Sequence, residues 1–184
     1  KGNGLSVQEW LRYGSPESLA FFMYAQPRRA KRLHFEVIPR TVDEYYQHRA
    51  KIAEQDEAAR LENPAWHIHA GVPEAGGLPV SFTLLLNLAS VCLAETPEVV
   101  WGYVSDYAPG VSAESHPELD RMIGYAVNYY QDMVRPHKTY RLPTAEEAAQ
   151  IETLAATIEA LPADADAEAV QSAVYATGKD AGYE

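Results

Sequence analysis

The sequence predicts an all-α protein, and three observations predict it. Helix-capping residues recur along the chain, from Ser6 with Glu9 to Thr144 with Glu147. Apolar residues return every three or four positions through long stretches. No segment alternates convincingly for a strand, and the one short candidate, Leu33 to Ile38, reads as extended or irregular.

Each element has its own signal. Ser6 and Glu9 form a capping box for a first helix. Ser15-Pro16-Glu17 places a cap before a proline at the first helical position, and that helix is expected to stop near Gln26-Pro27. Thr41 with Glu44 is read as a second capping box, opening a helix that runs toward Glu62 and ends at Asn63-Pro64. Phe82 to Ala94 is the most apolar run. It is too short for a bilayer, which needs ~20 residues, and Thr83, Asn87 and Ser90 interrupt it at helical spacing, so it reads as a mostly buried helix. Thr96-Pro97-Glu98 starts another helix. The stripe Leu119, Met122, Ile123, Ala126, Val127, Tyr130 and Val134 marks the next. Thr144 and Glu147 open a helix striped by Ala148, Ile151, Leu154, Ala155, Ile158 and Leu161 that ends at Leu161-Pro162, and Asp166 caps the last. Gly71 to Pro79 and, more weakly, Ala108 to Pro117 are breaker clusters. The first of these and Asn63 bracket the expected subdomain boundary. No internal repeat is visible.

At 184 residues the chain can form one domain or two small helical subdomains, burying on the order of 70% of its unfolded surface. A single cysteine, Cys92, excludes an intrachain disulfide and fits a reducing compartment. The chain opens on Lys1, its first methionine is Met23, and KGNGLSVQEW has no apolar stretch of a signal peptide. The expectation is a segment of a longer protein, cut at both ends.

The formal charge of −11 argues against a nucleic-acid partner, but its distribution does not. Residues 1–51 carry nine Lys/Arg and five Asp/Glu, a net of +4, and the rest carry a net of −15. Arg28, Arg29, Lys31 and Arg32 put four cations into five residues after a proline. Such a group suits phosphate, which arginine binds with a planar fork. The competing reading is a solvated turn, or pairing with Glu36, Asp43 or Glu44. Arg135, Lys138 and Arg141 are a second candidate group in the acidic part. Trp101, Tyr103, Tyr107, Tyr125, Tyr129 and Tyr130 could stack on unpaired bases, but at these spacings most are expected in a helical core.

Catalytic signals are weak. His67 and His69 form an H-x-H pair, which needs a third ligand to hold zinc, and structural histidines beside Trp66 are the simpler reading, so no metal site is expected. Cys92 and a distant histidine supply residue types for a hydrolase and nothing more. There is no nucleophile elbow, P-loop or zinc-protease helix.

The opening Lys1-Gly2-Asn3-Gly4-Leu5-Ser6 resembles the segment directly after the Lys-Met-Ser-Lys-Ser signature of class I aminoacyl-tRNA synthetases. The stretch WLRYGSPESLAFFMYAQPRRAKRLHFEVIPRTVDEYY (Trp10 to Tyr46) is similar to class I lysyl-tRNA synthetase of the bacterial and archaeal type. So are NPAWHIHAG, SFTLLLNLAS and YAVNYYQDMVRP. The resemblance implies a longer ligase whose Rossmann domain uses ATP, with magnesium, to attach lysine to tRNA(Lys). Neither class I catalytic signature stands in these residues, so the segment itself is expected to be inactive and to hold no cofactor. The resemblance further implies a stem-contact region over 1–62 and part of a helical anticodon-binding cage over 63–184. Lys1, Gly2, Asn3 and Gly4 would adjoin the signature loop. The implied partners are tRNA(Lys) and the catalytic domain of the same chain, in the cytoplasm, with no membrane or DNA partner. A glutamyl-type synthetase with the same cage, a helical protein–protein module and a metallohydrolase on His67 and His69 are the alternatives.

Overall fold

Ten α-helices, a π-helical turn and a short 3-10 turn form the regular structure in the computed structural model, which describes residues 5–69 and 77–183. No strand occurs among the described residues, so the fold is all-α as expected. None of the described helices is long and apolar enough to cross a membrane. The helices are α1 (Val7–Leu11), α2 (Pro16–Tyr24), α3 (Val37–Lys51), α4 (Glu57–Glu62), α5 (Pro64–His67), α6 (Phe82–Val91), α7 (Pro97–Tyr107), α8 (Pro117–Tyr129), α9 (Ala145–Glu159) and α10 (Ala167–Asp180). The π-helical turn, Tyr130–Val134, and the 3-10 turn, Arg135–His137, extend α8.

Most expected caps are in place. The Ser6–Glu9 and Thr144–Glu147 boxes are both closed. Ser15 and Asp166 cap α2 and α10. One expectation is corrected: Thr41 and Glu44 are not a capping box. α3 starts four residues earlier, at Val37, and Thr41 is buried inside it. Pro39 stands in the first turn, where the N–H it lacks has no intrahelical acceptor anyway, so it does not delay the start. Nor does α3 reach Glu62. It ends at Lys51, and Asp56 caps a separate α4. Leu33 to Ile38 is irregular up to the start of α3. The loop expected at 71–79 lies largely outside the described residues.

The chain divides into two units, Lys1–Lys138 and Thr139–Glu184. In the first, α3, α6 and α8 pack together with α2 against α3 and α7 against α8. They bury Ile38, Val42 and Tyr45 from α3, Phe82, Leu85 and Ala89 from α6, and Leu119, Met122, Ile123 and Ala126 from α8. Trp10 is also fully buried and donates from Nε1 to Ser18 Oγ at 3.1 Å. Gly14 leaves room for that pair: a Cβ there would lie 3.0 Å from Trp10 Nε1 and 3.1 Å from Ser18 Oγ. Helices on both sides of residue 62 thus share one core.

The second unit pairs α9 with α10. They run antiparallel, since the hydroxyl of Tyr183, beyond α10, donates to Gln150 near the start of α9 at 2.9 Å. No residue of either helix is fully buried. The stripe predicted for α9 exists, but Ile151 stays 59% exposed along a groove of about 640 Å³.

Candidate nucleic-acid interface

The turn after α2 presents the basic cluster. α2 ends at Tyr24, and Pro27 prevents the helix from continuing. Lys31 folds the following chain back onto the helix end. Its ammonium donates to the carbonyl of Phe22 and lies 4.9 Å over the Phe22 ring. A cation there complements the negative end of the helix dipole, and desolvation lowers its pKa. Phe22 is itself held against Trp10, with ring centroids 5.6 Å apart. The turn is thereby anchored to the core.

Arg28, Arg29 and Arg32 are exposed and make no side-chain hydrogen bond or ion pair with any described residue. None of the three acids weighed as their partners pairs with them. Asp43 accepts from the backbone N–H groups of Phe82 and Thr83 at 2.6 and 3.1 Å. Glu44 pairs with Arg40 at 2.8 Å. Glu36 lies 3.7 Å from His34 and is 88% exposed.

The other predicted cations have protein partners. Arg135 lies 3.6 Å from Glu95 on the surface. Lys138 donates to the Ser90 carbonyl at 2.7 Å, near the end of α6, and sits 5.2 Å over the Tyr130 ring. Arg141, in the second unit, holds Glu147 with two bonds of 2.6 and 2.5 Å, and Arg141 with the Thr144 amide holds that carboxyl down to about 2. Lys1, Gly2, Asn3 and Gly4 lie outside the described residues. Of the seven cations singled out from sequence, Arg28, Arg29 and Arg32 are the ones whose side chains have no partner among the described residues.

Tyr129 and Tyr130 are buried, and Trp101 and Tyr125 pack on the core. Tyr103 and Tyr107 are exposed. His69 bonds the Tyr45 hydroxyl at 3.1 Å, and His67 bonds the Leu61 carbonyl at 2.7 Å. Among the described residues no three His, Cys, Asp or Glu side chains group to hold a metal ion.

Two features escaped the sequence reading. Tyr24, at the end of α2, lies against His67, at the end of α5, with centroids 5.2 Å apart. Its position four residues before Arg28 was the available signal. The second is a polar cleft of about 260 Å³ beside Arg49, Glu118, Tyr46 and Arg121. Burial works against the Arg49 charge, and its bonds to Glu118 and Tyr45 more than offset this. Burial likewise raises the Glu118 pKa, but Arg49 pulls it below the ordinary carboxylate value. Burial pushes the Tyr46 hydroxyl up, so it stays protonated.

Residues 1–72 match the family model described as tRNA synthetases class I (K). Over 97% of its length the chain is 46% identical to a lysine–tRNA ligase of Roseobacter denitrificans, of which it covers 34%. Over its full length it is 42% identical to a lysine–tRNA ligase of Rickettsia bellii and 40% identical to one of Rickettsia rickettsii, covering 36% and 35% of them. It thus spans about a third of the length of these relatives. No solved structure matches the chain.

Proposed function

Because this chain belongs to the class I lysyl-tRNA synthetase family, we propose that it is the helical, RNA-contacting part of a lysine–tRNA ligase. In this reading the longer protein attaches lysine to tRNA(Lys) in the cytoplasm, and ATP and magnesium belong to its catalytic domain. The present residues carry no catalytic group. They place the anticodon arm so that the acceptor end reaches that domain. Residues 1–62 lie against the stem, and residues 63–184 form part of the anticodon cage. Phosphate contacts set position, and unpaired bases supply specificity.

One observation carries the reading: Arg28, Arg29 and Arg32 project from an anchored turn and pair with no acid among the described residues, while Asp43 and Glu44 bind elsewhere. Three unneutralised guanidinium groups on one turn repel each other, and phosphate relieves that repulsion with bidentate bonds. The test is a salt titration of tRNA(Lys) binding. Three phosphate contacts give a log–log slope of about −2 to −3. Replacing the three arginines by alanine should flatten it. An unchanged slope removes the cluster from the mechanism, and absence of binding removes the RNA reading.

A further inference from the structure

The basic turn adjoins an open pair of rings. Tyr24 and His67 meet at 5.2 Å with planes tilted by 32°. Tyr24 is 44% exposed and His67 is exposed as well. Neither ring is loosely placed. The Leu61 carbonyl can only accept, so His67 Nε2 donates to it at 2.7 Å, which fixes the plane of the imidazole. α5 is pinned by buried Asn63. Its amide donates to the His48 carbonyl and to Gln55 Oε1 at 2.8 Å each, and its oxygen accepts from the Ala65 N–H at 2.9 Å. Tyr24 stands in the last turn of α2, whose end Lys31 ties to the basic turn.

Other exposed rings lack such a neighbourhood: Tyr103 and Tyr107 are more exposed than Tyr24, at 52% and 70%, but no Lys or Arg lies within ten residues of either in sequence. The Trp66 face has Arg60 over it at 5.6 Å, and that guanidinium is itself bonded to the Ile52 carbonyl. Tyr140, Tyr175 and Tyr183 are exposed, but they belong to the second unit, where Arg141 is already paired. Tyr24 and His67 combine an accessible aromatic surface with unneutralised guanidinium groups a few residues away.

That combination has the chemistry of a nucleotide: a flat base to stack and phosphates to neutralise. A base pair inside a duplex has both faces covered by its neighbours, so away from duplex ends only an unpaired base can reach such a surface. We infer that Tyr24 and His67 form a stacking platform for one unpaired base of the bound RNA, with Arg28 and Arg29 on the adjoining phosphates. The inference rests on the RNA-binding reading and adds to it a ligand class for a specific pair of rings.

Two variants separate the platform from the cluster. Tyr24→Leu removes the π face and keeps an apolar side chain at a half-exposed helix end. Tyr24→Phe keeps the ring and removes only the hydroxyl. Binding is measured for a tRNA(Lys) transcript and for an RNA duplex long enough that its two ends are a negligible share of its binding sites, with circular dichroism confirming that each variant is folded. Y24L should weaken tRNA binding about 5- to 100-fold, leave the salt slope unchanged and leave duplex binding unaffected. Y24F should bind tRNA as wild type does. His67→Leu is the second platform variant, and it should repeat the Y24L pattern. If both Leu variants bind tRNA like wild type while the triple arginine variant flattens the slope, the platform is overturned and the RNA reading stands. If they weaken duplex binding equally, the rings only support the turn, and the platform is again overturned. If wild type binds neither RNA, the underlying reading fails and takes the platform with it.

Discussion

Arg49 on α3 and Glu118 on α8 are joined by two parallel N–H···O bonds of 2.7 Å each. The Tyr46 hydroxyl donates to the same carboxylate at 3.0 Å. The Arg49 side chain is only 11% exposed and Glu118 32%. Breaking such a pair from one side strands a largely desolvated charge. Arg49→Met should therefore cost about 3 kcal/mol of unfolding free energy, read from urea denaturation. Replacing Glu118 by Met in the same chain should recover part of that loss, because no lone charge then remains. If the double variant is as unstable as the sum of the two singles, the residues do not act as a pair.

The same pair sets an acid response. Glu118 has a folded pKa below its ordinary value of 4.5, so the unfolded chain takes up a proton first as pH falls. The stabilisation is fully present above about pH 4.5 and is lost as pH drops through the depressed folded value. Asp132, lowered by its bond to Arg12, acts in the same direction. Glu118→Gln should be less stable than wild type at neutral pH, and the gap should narrow in acid. A gap that stays constant from neutral pH to about pH 3 would mean the carboxylate charge is irrelevant to the fold.

Asp43 makes a third separable contribution. Ser81 caps α6 locally by accepting from the Leu84 N–H at 3.2 Å. The first two N–H groups of the helix, from Phe82 and Thr83, go instead to Asp43 on α3, which also accepts from the Thr83 hydroxyl at 2.5 Å. A carboxylate here satisfies orphan donors and faces the positive end of the helix. Asp43→Ala should cost about 1–2 kcal/mol in chemical denaturation. It should also leave the salt slope of RNA binding unchanged, because Asp43 makes no ion pair with the arginine turn.

What the sequence shows and what it hides follow from contact range. The Ser6–Glu9 and Thr144–Glu147 boxes were legible because both partners lie three residues apart. The α8 stripe was legible because one face of a helix is buried as a unit. The start of α3 misled because Thr41 and Glu44 imitate a cap. Whether a cation is free depends on residues far along the chain, as when Lys138 reaches Ser90 and Asp43 reaches Phe82. Composition reveals four cations in a cluster. Only packing separates Lys31 from the other three, or brings Tyr24 against His67.

That separation supplies the last prediction. The Lys31 ammonium is bonded to the Phe22 carbonyl and covers the Phe22 ring, whereas Arg28, Arg29 and Arg32 point to solvent. Lys31→Met keeps the unbranched aliphatic stem that packs there and removes the bond and charge at the α2 end. It should cost about 1 kcal/mol of stability, measured by thermal unfolding. A side chain spent on the helix end releases few counterions when RNA binds, so K31M should change the log–log salt slope by much less than Arg29→Ala, which removes about 0.7–0.9 units per phosphate lost. The comparison is made in one buffer series on folded protein. Equal loss of slope in the two variants would place Lys31 on the RNA, and its role as a cap would then be wrong.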